Sequence, residues 1–289
     1  MISYNPKSWF TLIFSFSKSD TVRMLWRQLV YIGVLSLAIT FAELHFFPKA
    51  AFLKNLIAVY SLLGFVISLL LVFRTNTAYD RWWEGRKLWG AIVNDSRNLA
   101  LKINAIESIK NEKAFFKNTI SNFCFSSKNH LRDQTNEGEL EFNEFNEREQ
   151  YIHADHKPIF FVNLLQSKLY QLKSKGQISD NEWLILDKNV NALVDSIGGC
   201  ERIKNTPIPY SYSLFIKKFI FIYVITLPLA FVNQFSYFSA FIATFVFYAL
   251  VSMEVLAEEI EDPFGEDDND LPTDQICERI KQNVSEILN

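Results

Sequence analysis

The sequence predicts an all-α integral membrane protein with four transmembrane helices and a helical cytosolic portion. Composition is the first reason: 49% of the 289 residues are hydrophobic and 27 are Phe, yet 21% are charged. A water-soluble chain with that much Phe would need a very large core, and a fully embedded one would not carry 29 basic and 32 acidic residues. Four long apolar runs are the second reason. The third is the stretch between the second and third runs, which shows helical periodicity, no strand alternation and no repeat.

In chain order, Pro6, Lys7, Lys18, Asp20 and Arg23 interrupt every early apolar stretch, so no signal peptide is read and membrane entry rests on internal helices. The first run is Leu29 to Ala42, with Trp26, Phe41, Phe46 and Phe47 as aromatic margins. The second, Leu56 to Phe73, has no charge and as a helix spans roughly 27 Å, close to the hydrocarbon thickness of a bilayer. The third, Phe219 to Val232, contains Pro228; the fourth is Tyr237 to Met253. The short linker Asn233 to Ser236 joins these two as an antiparallel hairpin. Shorter apolar runs alone also fit core helices of a soluble protein, but the second run and the hairpin do not.

Basic residues orient the spans. Arg74, Arg81, Arg86 and Lys87 follow the second run, Lys217 and Lys218 precede the third, and Lys18, Arg23 and Arg27 precede the first. The linker between the third and fourth has no Lys or Arg, and the first-to-second connection has only Lys49 and Lys54. By the positive-inside rule both termini and the long middle segment are cytoplasmic, in a cell inner membrane. The chain thus divides into residues 1–73 with two spans, a cytosolic helical region 74–218, two spans in 219–253, and an acidic segment 254–289.

Within the middle region, Leu88, Ile92, Leu99, Ile103 and Ile106 recur at helical spacing, and Ile120 to Phe125 belongs to a second amphipathic helix. Asn136 to Gln150, dense in Glu and Asn, reads as a solvated loop or helix edge. Ser179 to Glu182 is a capping-box pattern, opening a helix whose apolar face includes Leu184, Leu186, Val190 and Leu193.

Few residues suggest chemistry. Cys124, Cys200 and Cys277 are isolated and suit small buried thiols in a reducing compartment. His153 and His156, three apart, have a spacing that could hold a metal on one helix face, but polar residues at a helix start before Pro158 explain them better. No GxSxG motif, P-loop or Gly-rich nucleotide loop is present, so the sequence offers no enzyme. The net charge of −3 implies no nucleic-acid partner. Phe65, Leu69 and Phe73 share one face of the second span, a stripe that any apolar span contains and that suits lipid or packing contact before a pore. Between Glu258 and Asp270 eight carboxylates fall in thirteen residues. They repel unless solvated or sharing a cation, and an oxygen-only set at a Pro/Gly turn suits calcium, although the spacing is not that of an EF-hand.

Several motifs carry a family resemblance. Phe73 to Trp83 (FRTNTAYDRWW) with Leu88-Trp89-Gly90, Gly198 to Arg202 (GGCER) with Thr206 to Tyr210 (TPIPY), and Leu256 to Glu259 (LAEE) with Glu261 to Gly265 (EDPFG) and Asn269 to Pro272 (NDLP) resemble the signature of prokaryotic bestrophin-like channels. They fall in the family's order across essentially the whole chain. The resemblance implies a homopentamer around one central pore for passive flow of small monovalent ions through the lipid bilayer, with no required cofactor. It implies a hydrophobic neck whose positions fall on Phe65, Leu69 and Phe73. A second constriction at the cytosolic end falls near Ile178 or Asn181; family members commonly have an aliphatic residue there, so a polar Asn181 is a departure. The acidic segment is similar to the calcium clasp of animal members, with Glu259, Asp262, Glu266, Asp267 and Asp270 as candidate Ca2+ ligands. Charge selectivity stays open: animal members resemble chloride channels, and the bacterial branch includes cation-conducting ones. A secondary transporter and a non-conducting membrane scaffold are the rival readings; Glu43, near the end of the first span, is the only intramembrane ionisable candidate for a transporter and is expected at the interface.

Overall fold

A computed structural model describes residues 21–46 and 56–289; Lys18, Phe47, Lys49 and Lys54 lie outside the described residues. Regular structure among these is helical: α1 (Thr21–Phe46), α2 (Leu56–Asn104), α3 (Lys113–Leu131), α4 (Phe145–His153), α5 (Lys157–Ser174), α6 (Asp180–Asn205), α7 (Tyr210–Phe235), α8 (Phe238–Glu261) and α9 (Thr273–Leu288). Short 3-10 turns occupy Glu107–Glu112 and Glu137–Glu139. The chain forms two compact units. One contains the described residues up to Trp82, Pro207–Asp262 and Asp267–Asn269; the other contains Trp83–Thr206, Pro263–Glu266 and Asp270–Asn289. The uninterrupted helix α2 contributes to both. The acidic segment, read from sequence as one piece with the C-terminus, is divided between them.

The first unit is built from the four apolar runs. Helices α1, α2, α7 and α8 are each long and apolar enough to cross a membrane. Their 26, 49, 26 and 24 residues exceed the ~20 that span a hydrocarbon core. Each outruns its apolar run, because helical hydrogen bonding continues from the apolar run into polar residues until a turn ends it. For the same reason the linker read at Asn233 to Ser236 shrinks: α7 continues through Phe235, and Ser236, at φ 49°, reverses the chain into α8. Ile32, Ile67, Leu71, Ile216, Ile220, Val224 and Phe247 form the packed centre of this unit.

In the second unit α3 is the central helix. From Thr119 to Asn129 every residue is buried, with α5 and α9 packed against it and α6 against α5. Helix α9 lays Cys277, Ile280, Val284 and Leu288 inward at helical spacing. Ser179 caps α6 as expected: its hydroxyl accepts from the Glu182 N–H at 3.3 Å, and the Glu182 carboxylate accepts from the Ser179 N–H at 2.7 Å. The expected apolar face of α6 needs one correction. Leu186, Val190, Leu193 and Ile197 are buried, but Leu184 is exposed, because two residues on a helix turn a side chain to the opposite face. The region read as a solvated loop or edge is partly structured too: Glu147 of α4 is buried and accepts from the Asn143 N–H at 2.8 Å.

Candidate functional site: the apolar face of α2 and its charged collar

Helix α2 has two faces with opposite fates. Tyr60, Ile67 and Leu71 point into the packed centre of the first unit. A half-turn away, Phe65, Leu69 and Phe73 remain 66%, 45% and 56% exposed. The four-residue spacing keeps these three in one row, and the packed residues beside them fix the row's direction. Gly64 lets α7 approach closely: a Cβ there would lie 2.7 Å from the Tyr223 hydroxyl, which donates to the Tyr60 carbonyl at 3.2 Å.

One residue beyond Phe73, the apolar row meets a buried charge. Arg74 is 1% exposed; its guanidinium bonds the Glu261 carboxylate at 2.6 Å and lies 3.6 Å from that of buried Glu254. Glu261 also accepts from the Ile208 N–H at 2.7 Å, and Arg81 donates to its main-chain carbonyl at 3.0 Å. A guanidinium serves this position because its planar fork reaches two carboxylates at once. The end of α8, the start of α7 and the turn of α2 just past the apolar row are thereby held together. The family motif residues Arg74 and Glu261 were legible, but not that they pair.

Of the two aperture candidates, Ile178 is buried within the second unit, 3% exposed. Asn181, in the first turn of α6, is exposed. Glu43, three residues from the end of α1, is buried in the first unit, one helical turn from Thr40, whose hydroxyl lies 3.1 Å from that of Ser239.

The acidic segment uses its carboxylates in pairs. Glu259 accepts from the Asn269 side chain at 2.6 Å, and Glu266 accepts from Gln134 at 2.8 Å. Asp270 is buried, and its Oδ2 would lie 2.7 Å from any Cβ at Gly265, so that position requires glycine. Asp262 and Asp267 are exposed. Arg132 draws the turn in by donating to the Phe264 carbonyl at 3.1 Å. Among the described residues, no three carboxylates here bring ligand oxygens within 4.8 Å of one another. The donors therefore do not fit a ready-made calcium shell, which needs six to eight converging oxygens.

One group of ligand atoms does converge: His130, His156 and Glu201. The sequence pairing of His153 with His156 is not realised, because His153 ends α4 while His156 caps the start of α5. The signal that linked His130 and Glu201 to His156 was absent from spacing, since three different helices bring them together. Burial holds the His130 imidazole below its ordinary value, and His156 beside it adds to that. The cysteines are buried thiols; burial pushes Cys124 and Cys200 up to about 12, which leaves them unreactive.

Known proteins add the remaining part. The profile of the family described as Bacterial/Fungal Bestrophin protein matches residues 1–286. The chain belongs to the bestrophin family. Among curated bestrophin relatives, a voltage-dependent anion channel-forming protein of Nostoc sp. is 37% identical over 231 residues, covering 77% of this chain and 74% of its own. The voltage-dependent anion channel-forming protein YneE of Salmonella typhimurium is 31% identical over 285 residues, covering 97% and 92%. A crystal structure of a bacterial bestrophin homolog from Klebsiella pneumoniae superposes with a TM-score of 0.85 at 27% identity, covering 91% of this chain and 98% of that one. This bestrophin is accordingly an all-helical integral membrane protein and an ion channel, as the resemblance in the sequence implied.

Proposed function

We propose that five copies of this bestrophin surround one pore, with Phe65, Leu69 and Phe73 of each α2 forming its apolar neck. The observation that carries this reading is the exposure of those three side chains in one row, half a turn from the buried Ile67 and Leu71. A single helix cannot enclose a lumen, so closing one takes several copies, and homo-oligomers close by cyclic symmetry. A narrow apolar lining gates by wetting rather than by paired charge.

In this reading the second unit and both termini face the cytoplasm of a cell bounded by its inner membrane. Support comes from the cluster of Arg74, Arg81, Arg86 and Lys87 after the second apolar run and of Lys217 and Lys218 before the third. Exposed Asn181 is the aperture residue. The permeant species are small monovalent ions; the names of the curated relatives favour an anion for at least those proteins. Calcium at the acidic segment is proposed only as a bound state that recruits main-chain carbonyls to Asp262 and Asp267, and calcium titration tests it separately.

Planar-bilayer recording from purified protein tests the channel reading, and native mass measurement tests the count of five. Discrete unitary currents are expected, and their reversal potential under a salt gradient gives the sign of the ion. Buried Glu43 is the one observation favouring a transporter, because intramembrane carboxylates often serve coupled transport. Slow saturable flux without unitary events would establish that reading instead, and silence would leave a scaffold.

A further inference from the structure

The second unit contains a donor set apart from the row on α2. His130 lies in the last turn of α3, His156 is the cap residue of α5, and Glu201 is on α6. The two imidazole rings are tilted against each other with centroids 4.7 Å apart. Both Nε2 atoms approach the same carboxylate oxygen, Glu201 Oε1, at 2.8 and 2.6 Å. That oxygen is fully buried, yet neither ring makes a well-aligned hydrogen bond to it. Two imidazole nitrogens thus gather on one carboxylate oxygen, with all three ligand atoms within 4.8 Å of one another.

We propose that His130, His156 and Glu201 form a binding site for zinc or another borderline divalent transition metal. Two imidazoles and one carboxylate are a donor set suited to such ions and not to calcium, which takes oxygen alone. The side chains of His130 and His156 are partly exposed, at 30% and 38%, so a further coordination position opens to solvent. Supports lie around the donors. Lys204 donates to the His130 carbonyl at 3.0 Å and to Asp133 at 2.6 Å, fixing the end of α3. His156 Nδ1 accepts from the Ile159 N–H at 3.3 Å. Coordination through Nε2 moves the ring proton to Nδ1, so this long cap is exchanged for a metal bond. The ion would tie three helices, each contributing one ligand.

The test uses full-length protein in detergent, stripped with chelator and titrated with zinc by calorimetry, then with cobalt by visible absorption. One zinc per chain is expected, with cobalt giving the strong d–d bands of a four-coordinate site. Glu201→Gln, nearly isosteric, and His130→Asn should each weaken zinc at least about tenfold. His153→Asn, at the exposed end of α4, should leave it unchanged. A parent protein without saturable zinc and without cobalt bands overturns the site, as does equal zinc affinity in Glu201→Gln and the parent. If His130→Asn fails to fold, Glu201→Gln and the parent cobalt spectrum decide the matter.

Discussion

Replacing Arg74 by Met removes a buried cation from two carboxylates while keeping most of the side-chain volume. Glu254 is 2% exposed, and Glu261 accepts one bond from Arg74 at 2.6 Å and another from the Ile208 N–H at 2.7 Å. Loss of the guanidinium leaves Glu254 buried without its ion-pair partner and Glu261 with only the amide. Breaking a buried pair by removing one partner costs about 3–5 kcal/mol. With the usual entropy of unfolding per residue, that lowers the melting temperature by roughly 5–8 °C if the whole chain melts together. The assay is thermal melting of the detergent-solubilised protein, followed by intrinsic fluorescence of its tryptophans. Adding Glu254→Gln and Glu261→Gln to Arg74→Met removes the stranded charges and should recover at least about half of the loss. A single variant within about 1 kcal/mol of the parent would refute the argument, as would a triple variant no better than the single one.

Two further perturbations address packing and pH. Gly64→Ala places a Cβ 2.7 Å from the Tyr223 hydroxyl and should cost about 1–3 kcal/mol; Tyr223→Phe in the same protein should restore most of it, because the ring carbon lies at an ordinary 3.5 Å, and melting curves measure both. Asp274 holds its proton less tightly than an ordinary Asp: burial alone would raise its value, but Arg132 and Lys128 outweigh it. A depressed carboxylate stabilises the fold above its unfolded value near 3.8 and loses that contribution as pH falls through its lower folded value. The stability difference between the parent and Asp274→Asn should thus be flat from about pH 5 to 8 and vanish in acid, as chemical denaturation at stepped pH would show; a difference that grows in acid would contradict the sign.

What the sequence made legible follows from local physics. The spans were readable because apolar length alone dictates them, and the α6 cap because Ser179 and Glu182 are neighbours in the chain. The row Phe65, Leu69, Phe73 was visible as a face, but only packing of Ile67 and Leu71 shows which side of α2 stays uncovered. Leu184 was misplaced because a two-residue shift on a helix reverses inside and outside. Long-range partners were invisible: Arg74 meets Glu261 across 187 positions, and His130 meets Glu201 only once α3, α5 and α6 have packed. Neither pairing leaves a spacing signal. The acidic segment shows the converse limit, since its composition suggested an ion while its carboxylates are distributed among Asn269, Gln134 and the turn itself.

The central claim is that the uncovered row on α2 lines the ion path. Single-channel recording of Phe65→Ala, Leu69→Ala, Phe73→Ala in one protein tests it most directly. The three side chains are exposed in the chain, so their loss should leave the packed centre of the unit and its melting temperature nearly unchanged. A neck built from them becomes wider and easier to wet, so open probability or unitary conductance should rise above the parent's. Unitary currents indistinguishable from the parent's, in a variant that still assembles, would contradict the account and assign the row to packing or lipid.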